Sequence, residues 1–149
     1  MNLPPAGTAD PSTDRPGAAG DAPLYRVVIA DDDEAIRGLV EVAVRKAGAQ
    51  GAAAVGDGVA AVAAIRAEQP DLAVLDVSMP GMSGLEACQQ VRADPRFADL
   101  PVVMLSAAVH PAAVQSGMDA GADLYLEKPF SPRALAATIR GLLAERHGG

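Results

Sequence analysis

Short apolar runs recur along this chain of 149 residues, and four of them end on or lead to residues that could do chemistry. In chain order these residues are Asp31 with Asp32, Asp76, Ser106 and Lys128. If the runs are parallel strands, their carboxyl ends meet at one edge of a sheet, which is where ligands bind. Two carboxylates about 4 Å apart repel by roughly 4 kcal/mol at an effective dielectric near 20. Three carboxylates gathered there therefore require a cation between them.

Together these residue types suit a site that accepts a phosphoryl group. Carboxylate oxygens that are few in number and leave room for water favour Mg²⁺. The amine of Lys128 supplies a point charge that can hold a phosphoryl group, and the hydroxyl of Ser106 can donate to a phosphoryl oxygen. A lone Asp at the end of a strand is more simply a solvated cap. In this company, Asp76 is instead a candidate carboxylate nucleophile.

The apolar runs alternate with helical patterns, which predicts an α/β fold with a single doubly wound sheet of five parallel strands flanked by five helices. The predicted strands are Tyr25–Ala30, Ala52–Val55, Leu72–Asp76, Pro101–Ser106 and Leu124–Glu127. Their largely uninterrupted apolar character suits strands that are covered on both faces. The second strand rests on Ala residues, which have a poor β propensity.

Capping residues mark where the helices between these strands begin and end. The predicted N-caps are Asp33, Asp57, Ser83 and Ser131. Gly48 is predicted just beyond the end of the first helix. Asp57 is accordingly interpreted as a cap rather than as a metal ligand. The first helix is predicted to turn Arg37, Glu41 and Arg45 to solvent, at i,i+4 spacing.

Composition narrows the functional classes. The net charge of −7 and the pI near 4.6 leave no basic face for non-specific binding to nucleic acid or to an anionic membrane. Cys88 is the only cysteine, which excludes an intramolecular disulfide. No stretch approaches the ~20 apolar residues of a membrane span, so we expect a cytoplasmic protein. Residues 1–23 have little to bury and are expected to form a disordered tail, with one domain over residues 24–147.

Four motifs in a fixed order give the chain a specific resemblance. They are Ile29-Ala30-Asp31-Asp32, the segment from Asp76 to Gly84, the segment from Leu100 to Ala107, and Gly121-Ala122-Asp123-Leu124-Tyr125 leading to Lys128-Pro129-Phe130. With them the chain resembles a receiver domain of a two-component response regulator, of the stand-alone, chemotaxis-receiver-like type. The resemblance implies a flavodoxin-like sheet with the strand order 2-1-3-4-5, and signal transduction through a phosphorelay.

The resemblance also implies a role for each residue of the acidic cluster. Asp76 would accept a phosphoryl group from a phosphohistidine on a sensor kinase or a phosphotransfer protein. Asp32 and Asp76 would bind Mg²⁺ through their side chains, Ser78 through its backbone carbonyl, and Asp31 largely through water. The chain would catalyse only its own phosphorylation and dephosphorylation, so it would not be an enzyme with a separate substrate.

Opposite the acidic cluster, the resemblance implies a clamp and a switch. Lys128 would pair with the phosphoryl oxygens, and the Lys128–Pro129 bond is expected to be cis. Ser106 would hydrogen-bond to the phosphoryl group, and Tyr125 would rotate towards the space that the loop vacates. Ser106 stands where Thr is more common in this family, so the hydroxyl is kept and the methyl group is lost.

The surface that responds would lie on the fourth helix, the fifth strand and the fifth helix. It would include Ala112, Ala113, Ser116, Asp119, Ala136, Ala137 and Arg140. Because the sequence shows no DNA-binding or catalytic domain, we expect the output to run through an unidentified downstream protein. The alternative is that the chain serves as a phosphate sink.

Two other classes of protein share parts of this pattern. In a small haloacid-dehalogenase-type phosphatase, Asp31 and Asp33 would be the nucleophile and the acid, and Ser106 and Lys128 would be its later motifs. Against this reading, no acidic pair follows Lys128, no cap insertion is present, and Asp76 would have no role. A flavin-binding module would need a phosphate-cradling loop of Ser, Thr and Gly after the first strand, which this sequence lacks.

Overall fold

The computed structural model describes residues 24–147, in which strands and helices alternate. The strands are β1 (Tyr25–Ala30), β2 (Ala49–Val55), β3 (Leu72–Asp76), β4 (Val102–Ser106) and β5 (Leu124–Glu127). The helices are α1 (Glu34–Lys46), α2 (Gly58–Glu68), α3 (Gly84–Arg92), α4 (Pro111–Asp119) and α5 (Pro132–His147), with one turn of 3-10 helix at Pro95–Phe97. The predicted tail over residues 1–23 lies outside the described residues.

All five strands form one parallel sheet in the order β2-β1-β3-β4-β5. This is the doubly wound, flavodoxin-like fold that the sequence predicts. The direction of winding changes between β1 and β3, because the chain first adds β2 on one side and then returns to build β3, β4 and β5 on the other. Ala30 pairs with Leu75, so the residues that follow β1 lie beside the end of β3.

Helices cover both faces of the sheet, and the side chains of β1 alternate between the two resulting cores. Val28 packs on the side of α2 and α3, together with Ile65 and Val91. Val27 packs on the side of α1 and α5, together with Ile139. Every residue of β3 and of β4 is buried, which explains why these strands read as continuous apolar runs.

The strand β2 is longer than the sequence predicts, because it begins at Ala49 rather than at Ala52. Its pairing with β1 contains a bulge, since Val27 pairs with Gly51 and Val28 pairs with Ala53. Ala52 is therefore the extra residue on the edge strand. Pairing with β1 overrides the poor β propensity of alanine, which is a tertiary effect that local sequence does not report.

All four predicted N-caps are present, and each begins a helix at the carboxyl edge of the sheet. Oγ of Ser131 accepts from a backbone N–H in the first turn of α5 over 3.2 Å. Asp33 accepts hydrogen bonds from the backbone of α1, and Asp57 accepts one from α2. Ser83 and Glu86 form a reciprocal capping box at the start of α3.

Among the described residues, no helix is both long enough and apolar enough to cross a membrane.

Candidate functional site

Asp76 ends β3 in the middle of the carboxyl edge, and it is buried. The start of α3 packs directly against its backbone at Gly84. A Cβ atom on Gly84 would lie 2.1 Å from the carbonyl oxygen of Asp76, so only glycine allows α3 to begin this close to the strand. This close approach fixes the backbone from which the Asp76 carboxylate projects.

Asp31 and Asp32 follow β1, beside Asp76, and they differ in exposure. Asp31 is fully buried, whereas Asp32 is exposed. The backbone N–H of Asp31 donates to the carbonyl oxygen of Val55 over 3.0 Å, and its Oδ1 accepts from the backbone N–H of Asp33 over 2.9 Å. One carboxylate oxygen from each of Asp31, Asp32 and Asp76 lies within 4.8 Å of the others. The predicted acidic cluster is therefore assembled.

Lys128 directly follows β5, and its side chain reaches this cluster. Its Nζ lies 3.2 Å from Oδ2 of Asp31 and 3.1 Å from Oδ2 of Asp76. Its backbone N–H donates to the carbonyl oxygen of Ser106 over 2.8 Å, which ties the end of β5 to the end of β4. The Lys128–Pro129 peptide bond is cis, as the family resemblance implies.

The charges in the cluster are not balanced by this one amine. Burial raises the pKa of the Asp76 carboxyl above its ordinary value, and the Asp31 carboxylate adds to the rise, against the hydrogen bond from Lys128. Burial lowers the pKa of Lys128, but its pairs with Asp76 and Asp31 outweigh burial and place the pKa above its ordinary value. A simple ion pair would lower the pKa of its acid. Here desolvation and the second carboxylate are stronger than the single counter-charge.

A divalent cation fits this arrangement. Oδ2 of Asp31 is buried and, beyond its ion pair with Lys128, accepts no hydrogen bond from the residues that the structure describes. A buried carboxylate oxygen with unused lone pairs is a suitable ligand. The neighbouring donors, Asp32 and Asp76, are also carboxylates, and a hard, oxygen-only set is the kind that Mg²⁺ prefers.

An open cleft of about 580 Å³ lies over the cluster and holds most of the predicted site residues. It is lined by Asp32, Asp33, Asp76, Ser78, Ser106, Ala107, Ala108 and Lys128. Ser78 is exposed, and its backbone N–H donates to Oδ1 of Asp76 over 3.3 Å. Asp31 does not line the cleft, but it forms an ion pair with Lys128, which does.

Tyr125 lies outside the cleft and is connected to it by hydrogen bonds. Oγ of Ser106 accepts from the backbone N–H of Ala108 over 3.0 Å, and the Tyr125 hydroxyl donates to the carbonyl oxygen of Ala108 over 2.7 Å. The Tyr125 ring packs against α4 at Gly117, where a Cβ atom would lie 2.4 Å from Cδ2 of the ring. One residue, Ala108, thus joins the cleft to the contact between β5 and α4.

Three residues lie where the sequence does not place them, and one of them is Glu41, which is predicted to face solvent but is half-buried. Arg37, predicted to face solvent, is half-buried, and its Nη1 donates to the carbonyl oxygen of Asp31 over 2.9 Å. No spacing rule reveals this contact, because it depends on how α1 docks against β1. Ala136, predicted on the responding surface, is instead 2% exposed and packs in the core beside α1. The prediction for Ala136 was wrong because the face of α5 that docks on the sheet is broader than the sequence pattern suggested.

The geometry also bears on the phosphatase alternative. Asp33, its acid, is the N-cap of α1, and its Oδ1 accepts from the backbone N–H groups of Ala35 and Ile36. Asp31, its nucleophile, is fully buried and does not line the cleft. Asp76, which has no role in that mechanism, lines the cleft and pairs with Lys128.

Comparison with known proteins gives a family for the chain. The family model of the response regulator receiver domain matches residues 27–140. The DNA-binding response regulator MtrA of Mycobacterium tuberculosis is 37% identical over 123 residues, which make up 83% of this chain and 52% of MtrA. This chain therefore spans about half the length of the relatives that it matches.

Solved structures agree with the family model. The chemotaxis response regulator CheY4 of Vibrio cholerae has 32% sequence identity and a TM-score of 0.75, covering 80% of this chain and 99% of that one. A putative response regulator from Chloroflexus aurantiacus J-10-fl has 34% identity and a TM-score of 0.76, covering 82% and 99%. With its sheet order and its sequence both matched, the chain belongs to the response regulator receiver domains, the signal-receiving modules of two-component systems.

Proposed function

We propose that this chain accepts a phosphoryl group on Asp76 from a phosphohistidine of a histidine kinase or a phosphotransfer protein, and that this switches a protein-binding surface. The observation that carries the proposal is the position of Lys128. Its Nζ lies 3.1 Å from Asp76 and 3.2 Å from Asp31, beside a carboxylate that lines an open cleft. An ammonium in that place can pair with the anionic oxygens of an incoming phosphoryl group.

In the transfer, a carboxylate oxygen of Asp76 attacks phosphorus. A P–O bond forms while the P–N bond of the donor breaks, and the imidazole nitrogen keeps the electron pair. Lys128 pairs with the charge on the phosphoryl oxygens, and the Ser106 hydroxyl donates to one of them. Water later cleaves the acyl phosphate and releases inorganic phosphate. The chain therefore acts on its own carboxylate, and not as an enzyme with a separate substrate.

The acidic cluster is proposed to hold Mg²⁺ during this reaction. Asp32 and Asp76 would supply side-chain oxygens and Ser78 its backbone carbonyl, while Asp31 would act largely through water. When bound, the ion would neutralise the carboxylates and the phosphoryl oxygens that face them. Support comes from the oxygens that lie within 4.8 Å of one another and from the buried Oδ2 of Asp31.

The switch would run through Ala108. When Ser106 turns towards a phosphoryl oxygen, its hydrogen bond with the backbone of Ala108 changes, and the loop that also holds the Tyr125 hydroxyl moves with it. Phosphorylation adds about −1.5 to −2 charges. Moving a population from 1:99 to 99:1 needs about 5.5 kcal/mol, for which the new bonds to Ser106 and Lys128 are the source. Rotation of Tyr125 would then alter the surface of α4, β5 and α5.

We place this signalling in the cytoplasm and propose that another protein reads the phosphorylated surface. The net charge of −7 disfavours direct contact of this domain with nucleic acid or an anionic membrane. The exposed part of that surface includes Ala112, Ser116, Asp119, Ala137 and Arg140. It is small-residue-rich and sparsely charged, so recognition would depend on shape.

Labelling with acetyl phosphate tests the assignment of Asp76. The parent chain should gain an acid-stable, base-labile phosphoryl group that requires Mg²⁺. Asp76→Asn should lose the label, since an amide oxygen is a poor nucleophile. Asp33→Asn is the matched control, because Asn caps a helix as well as Asp does, and it should keep the label.

Two outcomes would contradict the proposal. Label retained by Asp76→Asn would place the acceptor elsewhere. Label on Asp31 together with multiple turnover of a phosphate ester would favour the phosphatase.

A further inference from the structure

The peptide bond that joins Asp31 to Asp32 is held by a side chain from α1. Nη1 of Arg37 donates to the carbonyl oxygen of Asp31 over 2.9 Å, and the Arg37 side chain is half-buried. That carbonyl group shares a planar peptide unit with the backbone N–H of Asp32. Its orientation therefore sets the direction in which the chain, and the exposed Asp32 carboxylate, leave β1.

The rest of Asp31 is held by other groups. Its backbone N–H donates to the carbonyl oxygen of Val55, and its Oδ1 accepts from the backbone N–H of Asp33. Its Oδ2 lies 3.2 Å from Nζ of Lys128. Arg37 thus holds the carbonyl group of Asp31, which is bonded directly to the backbone nitrogen of Asp32.

The guanidinium of Arg37 lies beside Gly56, the residue that follows β2. A Cβ atom on Gly56 would lie 3.4 Å from Nη1 of Arg37 and 3.9 Å from the carbonyl oxygen of Asp31. Arg37 therefore lies between the first turn of α1 and the loop after β2. It does not line the cleft over Asp76, so it acts on the site through the backbone and not by contact with a ligand.

We propose that Arg37 is a positioning residue for the cation site, and that it acts on the Asp32 carboxylate through the Asp31–Asp32 peptide unit. The inference rests on the proposed function, since it concerns the same acidic cluster. Without Arg37, this peptide unit can rotate, and the Asp32 carboxylate samples positions away from Asp31 and Asp76. A ligand that must be ordered when the ion binds holds the ion more weakly.

A purely structural role makes a different prediction. If the bond only fastens α1 to the sheet, its loss lowers the stability of the fold and leaves the affinity for Mg²⁺ unchanged. If it positions Asp32, its loss weakens Mg²⁺ binding, and the rate of phosphorylation at saturating Mg²⁺ is largely kept. The half-saturating Mg²⁺ concentration and the saturated rate therefore separate the two roles.

The test compares the full-length parent with Arg37→Gln, Arg37→Lys and Arg45→Gln. Arg45 is the matched control, because it is exposed on the same helix and lines a groove beside β2, away from the site. Mg²⁺ binding is measured by calorimetry on the unphosphorylated proteins. The Mg²⁺ concentration for half-maximal labelling by acetyl phosphate is measured separately, and so is the thermal midpoint.

For Arg37→Gln, both the dissociation constant for Mg²⁺ and the half-saturating concentration should rise about tenfold. The labelling rate at saturating Mg²⁺ should stay within about twofold of the parent. Arg37→Lys keeps the charge and one donor, so it should fall between the parent and Arg37→Gln. Arg45→Gln should match the parent in every measurement.

An Mg²⁺ affinity of Arg37→Gln equal to that of Arg45→Gln would overturn the inference. A lower saturated rate with an unchanged half-saturating concentration would also overturn it. If Arg37→Lys restores the thermal midpoint but Arg37→Gln shows no loss of affinity, the bond is structural only. Because calorimetry needs no phosphorylation, weaker Mg²⁺ binding by Arg37→Gln in a chain that takes no label would support this inference and overturn the proposed function.

Discussion

The two edges of the sheet differ in how they place charge. At the carboxyl edge, oxygens of three carboxylates lie within 4.8 Å of one another, and the amine of Lys128 pairs with two of these carboxylates. At the amino edge, charged groups lie against partners of opposite polarity. Asp71 accepts from the backbone N–H of Arg26 at the start of β1 over 2.8 Å, and Asp123 accepts from the backbone N–H of Val102 at the start of β4 over 2.8 Å.

Arginine side chains complete the amino edge. The Arg26 guanidinium pairs with the carboxylate of Glu68. Arg92 donates to the carbonyl oxygens of Gly121 and Phe97, and its Nη2 lies 3.0 Å from Oδ2 of Asp123. These contacts join the end of α3 to the loops before β4 and β5. The comparison indicates that the amino edge stabilises the fold, whereas the carboxyl edge holds charges that the proposed function requires and stability does not.

The largest expected change in the free energy of unfolding comes from a substitution at the amino edge. Arg92→Ala should lower the free energy of unfolding by about 3 kcal/mol, because it removes several hydrogen bonds to carbonyl oxygens and a partner of Asp123. Urea unfolding measures the loss. Mg²⁺-dependent labelling of the folded fraction should be unchanged. Arg133→Ala, an exposed arginine on α5, is the control and should leave the urea midpoint nearly unchanged. An Arg92→Ala protein that is stable but takes no label would contradict the division between the edges.

A smaller effect is expected when Mg²⁺ is added, and it belongs to the carboxyl edge. At ten times its dissociation constant, an ion that binds only the folded state stabilises by about 1.4 kcal/mol. The thermal midpoint of the parent should rise accordingly. Asp32→Asn should lose most of this rise, because it removes a carboxylate from the cluster. Asp33→Asn, which changes the neighbouring helix cap, should keep it. An equal response from both variants would show that the ion binds elsewhere.

The smallest effect concerns Asp76 in the absence of divalent ions. Burial and the Asp31 carboxylate disfavour its ionised form, so Asp76→Asn should raise the free energy of unfolding by about 1 kcal/mol at neutral pH. The pKa of Asp76 is raised in the folded state above its ordinary value of 3.8. The folded chain therefore binds the extra proton, and the stability from this group is present below 3.8 and lost as the pH rises through the raised pKa.

Urea unfolding of the parent and of Asp76→Asn across this pH range measures that difference. The gain from Asp76→Asn should be absent at low pH and should grow as the pH rises to neutral. Asp99→Asn, at an exposed position, should parallel the parent. If Asp76→Asn proves less stable than the parent at neutral pH, Lys128 more than compensates the carboxylate, and the contrast between the edges fails.

The sequence correctly predicted features that depend on a single strand or helix. The buried strands β3 and β4 read as apolar runs, and Asp33, Asp57 and Ser83 cap the helices that they were predicted to cap. The sequence did not predict features that depend on how two strands or helices meet. The extra residue at Ala52 depends on the pairing of β2 with β1.

The position of Lys128 shows the same division. Its place after the last strand is a property of the sequence, but its distances of 3.1 and 3.2 Å to two carboxylates depend on the order of β1, β3, β4 and β5. The 2.9 Å contact between Arg37 and Asp31 likewise depends on the docking of α1. Ala136 is buried for a related reason, since the docking of α5 sets which of its faces is covered.

By itself, then, the sequence determined which residue types stand at the ends of the strands, because periodicity and caps are local properties of the chain. Only the tertiary structure decided that Asp31 would be buried with an oxygen that accepts no hydrogen bond from the described part of the chain. It also decided that Ala108 would join Ser106 to Tyr125, and that Arg37 would donate to the carbonyl oxygen of Asp31. These contacts join residues from different elements. Their geometry follows from helix docking and strand order, which sequence spacing does not encode.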